Sequence, residues 1–263
     1  LYERLDDLAL ESSGPWNNAG TGHAALCELN YTPQAPDGSV NIDKAVKISE
    51  EFQQSREFWN FLIDTGKIPA QDAFLSTTPH MTFVHGQANV DYLRARHAAL
   101  VASSHFLDLE FSEDPAVISQ WAPLLTLDRY TDEPIAATRA AHGTDVNFGR
   151  LTHDLATHLD RSGVDIFTSH EVKNLAQKKD GTWNVTVRNR GWNAPVREHT
   201  VNARFVFVGA GGAALPLLQK SGIPEIKGYG GFPISGVFLR TTNPEIVANH
   251  QAKVYGKASV GSP

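Results

Sequence analysis

The sequence predicts an α/β protein, and three features carry that prediction. Residues 171–203 read as an antiparallel meander, Phe205–Val208 is the continuous apolar run of a strand covered on both faces, and three helices with apolar faces precede the meander. In chain order, Ile42–Leu62 reads as a helix, because Val46, Ile48, Phe52, Trp59 and Leu62 approximate a 3.6-residue period. His80–Gly86 is a short strand ended by Gly86. Val90–Val101 is a second helix with Val90, Leu93, His97 and Leu100 on one face. Phe148, Leu151, Leu155 and Leu159 mark a third, with Gly163 placed to end it. A short strand at Val164–Phe167 follows.

The meander has the clearest local pattern. Glu171–Leu175 is extended, Asp180-Gly181 is a turn signal, and Thr182–Arg188 alternates with Trp183, Val185 and Val187 on one face. A third extended stretch runs from Val196 to Ala203 and leads into Phe205–Val208. Gly209-Ala210-Gly211-Gly212 and a helix from about Ala213 come next, where Pro216 is tolerated only in the first turn. No internal repeat or low-complexity tract interrupts this order.

Composition narrows the function classes. The chain has 263 residues, 41% of them apolar and 20% charged, which excludes disorder as its main state. Its formal net charge of −6 offers no basic excess, so nucleic acid is not an expected partner. The single cysteine, Cys27, excludes an intrachain disulfide and a cysteine-only metal cage. The longest apolar stretch, Phe205–Leu218, is broken by three glycines and Pro216 and falls short of the roughly 20 residues a spanning helix needs. No signal peptide is read at the start, and a peripheral membrane contact lies outside such tests.

Both ends read as cut. Leu1-Tyr2-Glu3 resembles the end of a parallel strand whose acid accepts from a ribose hydroxyl, an acid that follows a glycine loop by about 20 residues in a dinucleotide-binding unit. Taken alone, Glu3 reads as a surface glutamate. The closing Lys257–Pro263 carries no helix cap and no polar tail, so a piece lacking both ends is expected.

Gly209-x-Gly211-x-x-Ala214 matches the dinucleotide fingerprint literally, and glycines there let a backbone approach a phosphate. The acid-ended strand the fingerprint demands does not follow: Ser221-Gly222-Ile223-Pro224 comes instead, then Gly228, Gly230, Gly231 and Pro233. A late strand returning to a cofactor held elsewhere explains the glycines better than an independent NAD unit. A plain strand-to-helix turn stands beside it. Of the eleven histidines, His80/His85 and His153/His158 are five apart and lack metal-protease spacing, and no metal site is assigned. His23 follows Gly20-Thr21-Gly22 in the small-residue loop 11–23, and an imidazole there suits a base near neutral pH. By sequence alone a structural role for it stands ahead of a catalytic one.

Four blocks together carry a resemblance: Ser12–Pro33, Gly143–Gly149, Phe205–Gly212 and Lys253–Gly261. They resemble malate:quinone oxidoreductase, and they are spread over essentially the whole chain. The resemblance implies an FAD enzyme, peripheral at the cytoplasmic face of the bacterial cell membrane. Such an enzyme oxidises (S)-malate to oxaloacetate and passes the electrons to membrane quinone in the tricarboxylic acid cycle. It implies a glutathione-reductase-type FAD-binding domain with a β-meander, interleaved with a helical or α+β substrate domain. Residues 1–36 and 141–222 are assigned to the FAD-binding domain, 37–140 to a mostly helical insertion or cap, and 223–263 to the start of the substrate domain. The family's opening Gly-x-Gly-x-x-Gly strand and its C-terminal portion are missing from this sequence. The resemblance therefore implies that this piece alone holds FAD poorly and does not turn over.

Carried over by position, Glu3 resembles the ribose-binding acid. Asn18, Gly20, Thr21 and Gly22 resemble the loop beside the isoalloxazine. Val172 falls where related flavoproteins contact adenine through backbone atoms, and Gly209, Gly211 and Gly212 resemble the late loop near the pyrophosphate. His23 is the expected base. Arg240, Lys253, Tyr255 and Lys257 are the expected donors to the two malate carboxylates. The rival expectations are an FAD-dependent oxidase of another 2-hydroxy acid, a catalytically inert fragment or binding module, and, disfavoured by the absent acid after residue 214, an NAD dehydrogenase.

Overall fold

The computed structural model describes residues 1–193, 197–232 and 236–257. Val196, Pro233 and the stretch 258–263, each part of an expectation above, lie outside the described residues. The elements in chain order are α1 (Asp43–Asp64), β1 (Leu75–Thr77), β2 (His80–His85), α2 (Gln87–Val101), β3 (Glu110–Ser112), α3 (Pro115–Trp121), β4 (Ile135–Ala140) and β5 (Thr144–Val146). They continue with α4 (Phe148–Arg161), β6 (His170–Gln177), β7 (Trp183–Asn189), β8 (Glu198–Ala203), α5 (Ala214–Lys220), α6 (Pro244–Ala248) and β9 (Lys253–Tyr255). The chain divides into two compact units. One comprises residues 1–19 and 148–238, the other residues 20–147 and 239–263.

The first unit is built on the meander. β6, β7 and β8 form a three-stranded antiparallel sheet, with Val172 opposite Val187 and a bulge between Val172 and Asn174. The alternation read from Thr182–Arg188 buries Val185 and Val187. Together with Leu175 they form a core on which Tyr2, Val172, Val206, Val208 and Leu217 pack. The hairpin turns where Asp180 Oδ1 accepts from the Thr182 N–H at 3.0 Å and Gly181 takes φ +83°. Helix α4 stops where expected: Gly163 has φ +87°, and the Val164 N–H reaches back to the Leu159 carbonyl at 3.0 Å. The strand expected at Val164–Phe167 is reduced to one parallel bridge between Tyr2 and Phe167.

One expectation fails outright here. Phe205–Val208 is not a strand, and Phe205 and Phe207 are 79% and 85% exposed. A doubly covered strand requires ladder partners on its edges and a layer over each face. Here only Val206 and Val208 find one, on the meander core.

The second unit holds a four-stranded sheet ordered β3-β4-β2-β9, and a two-stranded ladder of β1 with β5. β9 runs parallel to β2, placing Lys253 beside His80 and Tyr255 beside Thr82. The interval 37–140 thus carries strands β1 to β4 as well as helices α1 to α3. Helix α1 packs Val46, Ile48 and Phe52 on a cluster that includes Ala24, Ala25, Leu26 and Leu100. Helix α2 begins after Gly86, whose φ is +82°, and buries Val90, Leu93 and Leu100. His97, on the same face, reaches the Leu109 carbonyl at 2.8 Å. Helix α3 starts with Asp114 accepting from the Ala116 N–H at 2.8 Å and Pro115 in its first turn.

Candidate active site

The second unit gathers a polar cluster around residues 20–28. The segment extends the β5 edge: the Val146 N–H donates to the Gly20 carbonyl at 2.6 Å, the Gly22 N–H donates to the Thr144 carbonyl at 3.1 Å, and Thr21 bridges Asp145. Both glycines are required by contact. Gly20 has φ +62°, and a side chain on it would overlap the Asp145 carboxylate. A Cβ on Gly22 would overlap the Thr144 hydroxyl and the Phe52 ring.

On this edge the Thr21 hydroxyl lies 2.9 Å from the Tyr255 hydroxyl, and Lys253 Nζ lies 2.7 Å from Asp145 Oδ1. Burial pushes the Tyr255 hydroxyl above its ordinary value, so it stays a neutral donor. His80 is fully buried on β2, with Nε2 against the Thr144 backbone at 2.8 Å, and burial lowers its pKa. It is a neutral, structural imidazole.

His23 is half exposed, and its Nδ1 lies 2.6 Å from Oε1 of Glu28, a carboxylate almost wholly buried. The hydrogen bond to Glu28 raises the His23 pKa. Partial burial and the charge of Lys253 oppose it without cancelling it, while the Glu28 charge adds to it. Burial pushes the Glu28 carboxyl up, but the bond from His23, a backbone N–H and the His23 charge together hold it below its ordinary value. With its Nδ1 proton turned to Glu28, the neutral His23 ring keeps Nε2 as its unprotonated nitrogen. Chemically it is an oriented imidazole backed by an ionised carboxylate, which can take up a proton from a hydroxyl. Burial drives the neighbouring Cys27 thiol up, so it is not a nucleophile.

The expected site residues thus fall into two groups. Gly20, Thr21, Gly22, His23, Lys253 and Tyr255 belong to this cluster. Lys257 is exposed, its ammonium 4.5 Å from the centre of the Tyr92 ring, and Arg240 lies in an exposed stretch of the same unit. Glu3, Asn18, Val172, Gly209, Gly211 and Gly212 belong to the first unit. There the Glu3 backbone pairs with Phe167 and His170, and its Oε1 accepts from the Leu5 N–H at 2.8 Å. Asn18 Nδ2 donates to the carbonyls of Ser12 and Gly14, each at 2.9 Å, which staples its own loop. Gly209, Gly211 and Gly212 are exposed; Gly211 has φ +51°, and no described residue lies within 4 Å of where a Cβ would stand on Gly211 or Gly212.

Sequence reasoning missed Glu28 and Asp145. Glu28 sits five residues after His23 in the same block, but only the turn at Ala25, with φ +59°, brings its carboxylate back. No group of histidine, cysteine and acidic residues among the described residues is arranged to hold a metal.

All of residues 1–263 match the family described as malate:quinone oxidoreductase. The chain is 57% identical over 263 residues to a probable malate:quinone oxidoreductase of Leifsonia xyli, covering all of this chain and 53% of that protein. It is 53% identical over 262 residues to one of Rhodococcus erythropolis, covering 51% of it, and 51% identical over 263 residues to one of Geobacillus kaustophilus, covering 52%. The chain therefore spans about half the length of the curated relatives it matches. In fold it is similar to the crystal structure of glycine oxidase from Geobacillus kaustophilus, with a TM-score of 0.56 and 14% identity over 83% of this chain and 50% of that one. The glycine oxidase of Bacillus cereus gives a TM-score of 0.52 at 17% identity, over 82% of this chain and 51% of that one.

Proposed function

The chain belongs to the malate:quinone oxidoreductase family, and from that premise we propose that the full-length protein is an FAD-dependent enzyme. It oxidises (S)-malate to oxaloacetate and delivers the electrons to membrane quinone. The observation that carries this reading is the 2.6 Å contact between His23 and the buried Glu28. It supplies the oriented base that oxidation of a secondary alcohol needs.

The residues present fit FAD. Glu3 keeps Oε2 without a partner among the described residues, an acceptor suited to a ribose hydroxyl. The open main chain of Gly211 and Gly212, with Gly209 ahead of them, suits a pyrophosphate, and Val172 offers backbone atoms to the adenine. Asn18, Gly20, Thr21 and Gly22 are the proposed neighbours of the isoalloxazine. When bound, FAD supplies the acceptor for the hydride that leaves C2 of malate.

The chain's own residues do the rest. His23 Nε2 takes the proton of the malate hydroxyl as the C2–H bond breaks and the carbonyl forms. Glu28 stabilises the resulting imidazolium and holds the ring in place. Lys253, poised by Asp145, and Tyr255, held by Thr21, are the proposed donors to one carboxylate, with Arg240 and Lys257 the donors to the other.

The finer architecture belongs to the same proposal. It is a glutathione-reductase-type FAD-binding domain from 1–36 and 141–222, an insertion over 37–140, and the start of a substrate domain over 223–263. No helix among the described residues is long and apolar enough to cross a membrane, and contact with the inner face of the cell membrane is proposed to be peripheral. The test is anaerobic mixing of the full-length protein with a panel of 2-hydroxy acids. Flavin bleaching is expected with (S)-malate first. A yellow protein that bleaches only with another acid would overturn the substrate assignment, and a protein that binds no flavin would overturn the whole reading.

A further inference from the structure

The segment that carries Glu28 is held in an unusual way. Residues 25–28 form neither helix nor strand, and Ala25 sits at φ +59°, a region that costs a residue with a Cβ about 1–2 kcal/mol. Yet a side-chain donor stands within hydrogen-bond distance of each carbonyl from 25 to 29. Arg96 Nη2 lies 3.3 Å from the Ala25 carbonyl and 3.5 Å from those of Leu26 and Glu28, and its two N–H groups serve two of the three at a time. The Thr82 hydroxyl donates to the Cys27 carbonyl at 2.8 Å, and the Tyr92 hydroxyl lies 3.1 Å from the Leu29 carbonyl. Arg96 itself is fully buried. Its Nε donates to the Thr32 hydroxyl at 3.0 Å, and its Nη1 has no hydrogen-bond partner among the described residues.

A guanidinium without a carboxylate in contact is an expensive thing to bury. If packing were the only need, an apolar side chain of similar size would serve α2 better. What the charged fork provides is a fixed set of donors aimed at a strained turn, and strained turns persist only where their surroundings over-determine them.

We propose that Arg96 is a positioning residue for the His23–Glu28 pair. It acts through the backbone of residues 25–28 and fixes the angle at which the Glu28 carboxylate meets His23 Nδ1. The proposal rests on the reading of His23 as the base, and it assigns Arg96 no contact with substrate. The titratable and charged groups around the pair are Cys27 beside it, His80 on β2, Tyr92 and Arg96 on α2, Tyr31 after the turn, and Lys253 with Tyr255 on β9.

The test uses the full-length protein with R96M, R96K and T32V, the last removing only the acceptor of Arg96 Nε. Two readouts are taken: kcat/KM for (S)-malate against pH, and the titration of His23 by NMR with labelled histidine, its signal assigned through H23Q. R96M is expected to lower kcat/KM by about tenfold to hundredfold and to move the His23 titration to lower pH, toward that of E28Q. R96K restores part of both, because a point charge reaches fewer carbonyls. T32V shifts the titration in the same direction by less, and it decides the matter if R96M does not fold. Variants that melt earlier while His23 titrates as in the wild type would overturn the proposal. Should H23Q keep its activity, the base assignment falls, and the His23 titration still decides the role of Arg96.

Discussion

Two glycine-bearing loops, Gly20–Gly22 and Gly209–Gly212, look alike as sequence and differ as structure. In the first, both glycines are buried, and the atoms a side chain would strike belong to Asp145, Thr144 and Phe52. In the second, the glycines are exposed, and only Gly209 has a neighbour, the Phe207 ring at 3.3 Å from its would-be Cβ. The first loop is small because the chain's own atoms crowd it. The second has no such crowding at Gly211 or Gly212; at Gly211 a φ of +51° favours glycine all the same, and Gly212 is left as a position where neither crowding nor backbone conformation asks for one. The fingerprint-like spacing at 209 did not distinguish these cases. Contact geometry does.

The sharpest way to break the comparison is Gly22→Val. The added groups meet the Thr144 hydroxyl and a ring in a packed interior, so a loss of about 3 kcal/mol or more is expected, read as a lower denaturant midpoint. Gly20→Ala is expected to cost about 1–2 kcal/mol from its left-handed backbone alone, with the displaced Asp145 carboxylate adding to this. Gly212→Ala is expected to stay within about 0.5 kcal/mol of the parent while weakening flavin retention. An equally large melting loss at Gly212 and Gly22 would erase the distinction between the loops.

The pair at the end of the first loop makes a pH-dependent prediction. His23 is raised from 6.5, so its contribution is fully present below 6.5 and is lost as pH rises through the raised value. Glu28 is lowered from 4.5, so its contribution is present above 4.5 and is lost as pH falls through the lowered value. The stability difference between wild type and H23Q should therefore be greatest between pH 4.5 and 6.5 and shrink on either side, measured by urea unfolding at several pH values. In catalysis the signs combine differently. A base must be unprotonated, so the rate is expected to rise with pH through the raised His23 value, and E28Q should move that limb to lower pH with a smaller plateau.

What the sequence made legible follows from how local each signal was. The periodic helices, the Asp180-Gly181 hairpin and the stop at Gly163 depend on residues within a turn or two, and they appear within a few residues of their expected bounds. Phe205–Val208 failed because covering a strand on both faces is not a property of the strand. The site divides in the same way. His23 stood out because small residues precede it. Glu28 and Asp145 did not, since their partners, His23 across a left-handed Ala25 and Lys253 more than a hundred residues away, are set by folding. Arg96 was hidden for a further reason: on a helix, an arginine reads as solvent-facing until its carbonyl acceptors are seen.

The most direct measurement of the central claim is the rate of flavin reduction by (S)-malate in full-length H23Q, followed anaerobically by rapid mixing. With the flavin bound and its spectrum unchanged, reduction is expected to slow by about 10²–10⁴-fold. Reduction near the wild-type rate in the same flavin-replete protein would contradict His23 as the base.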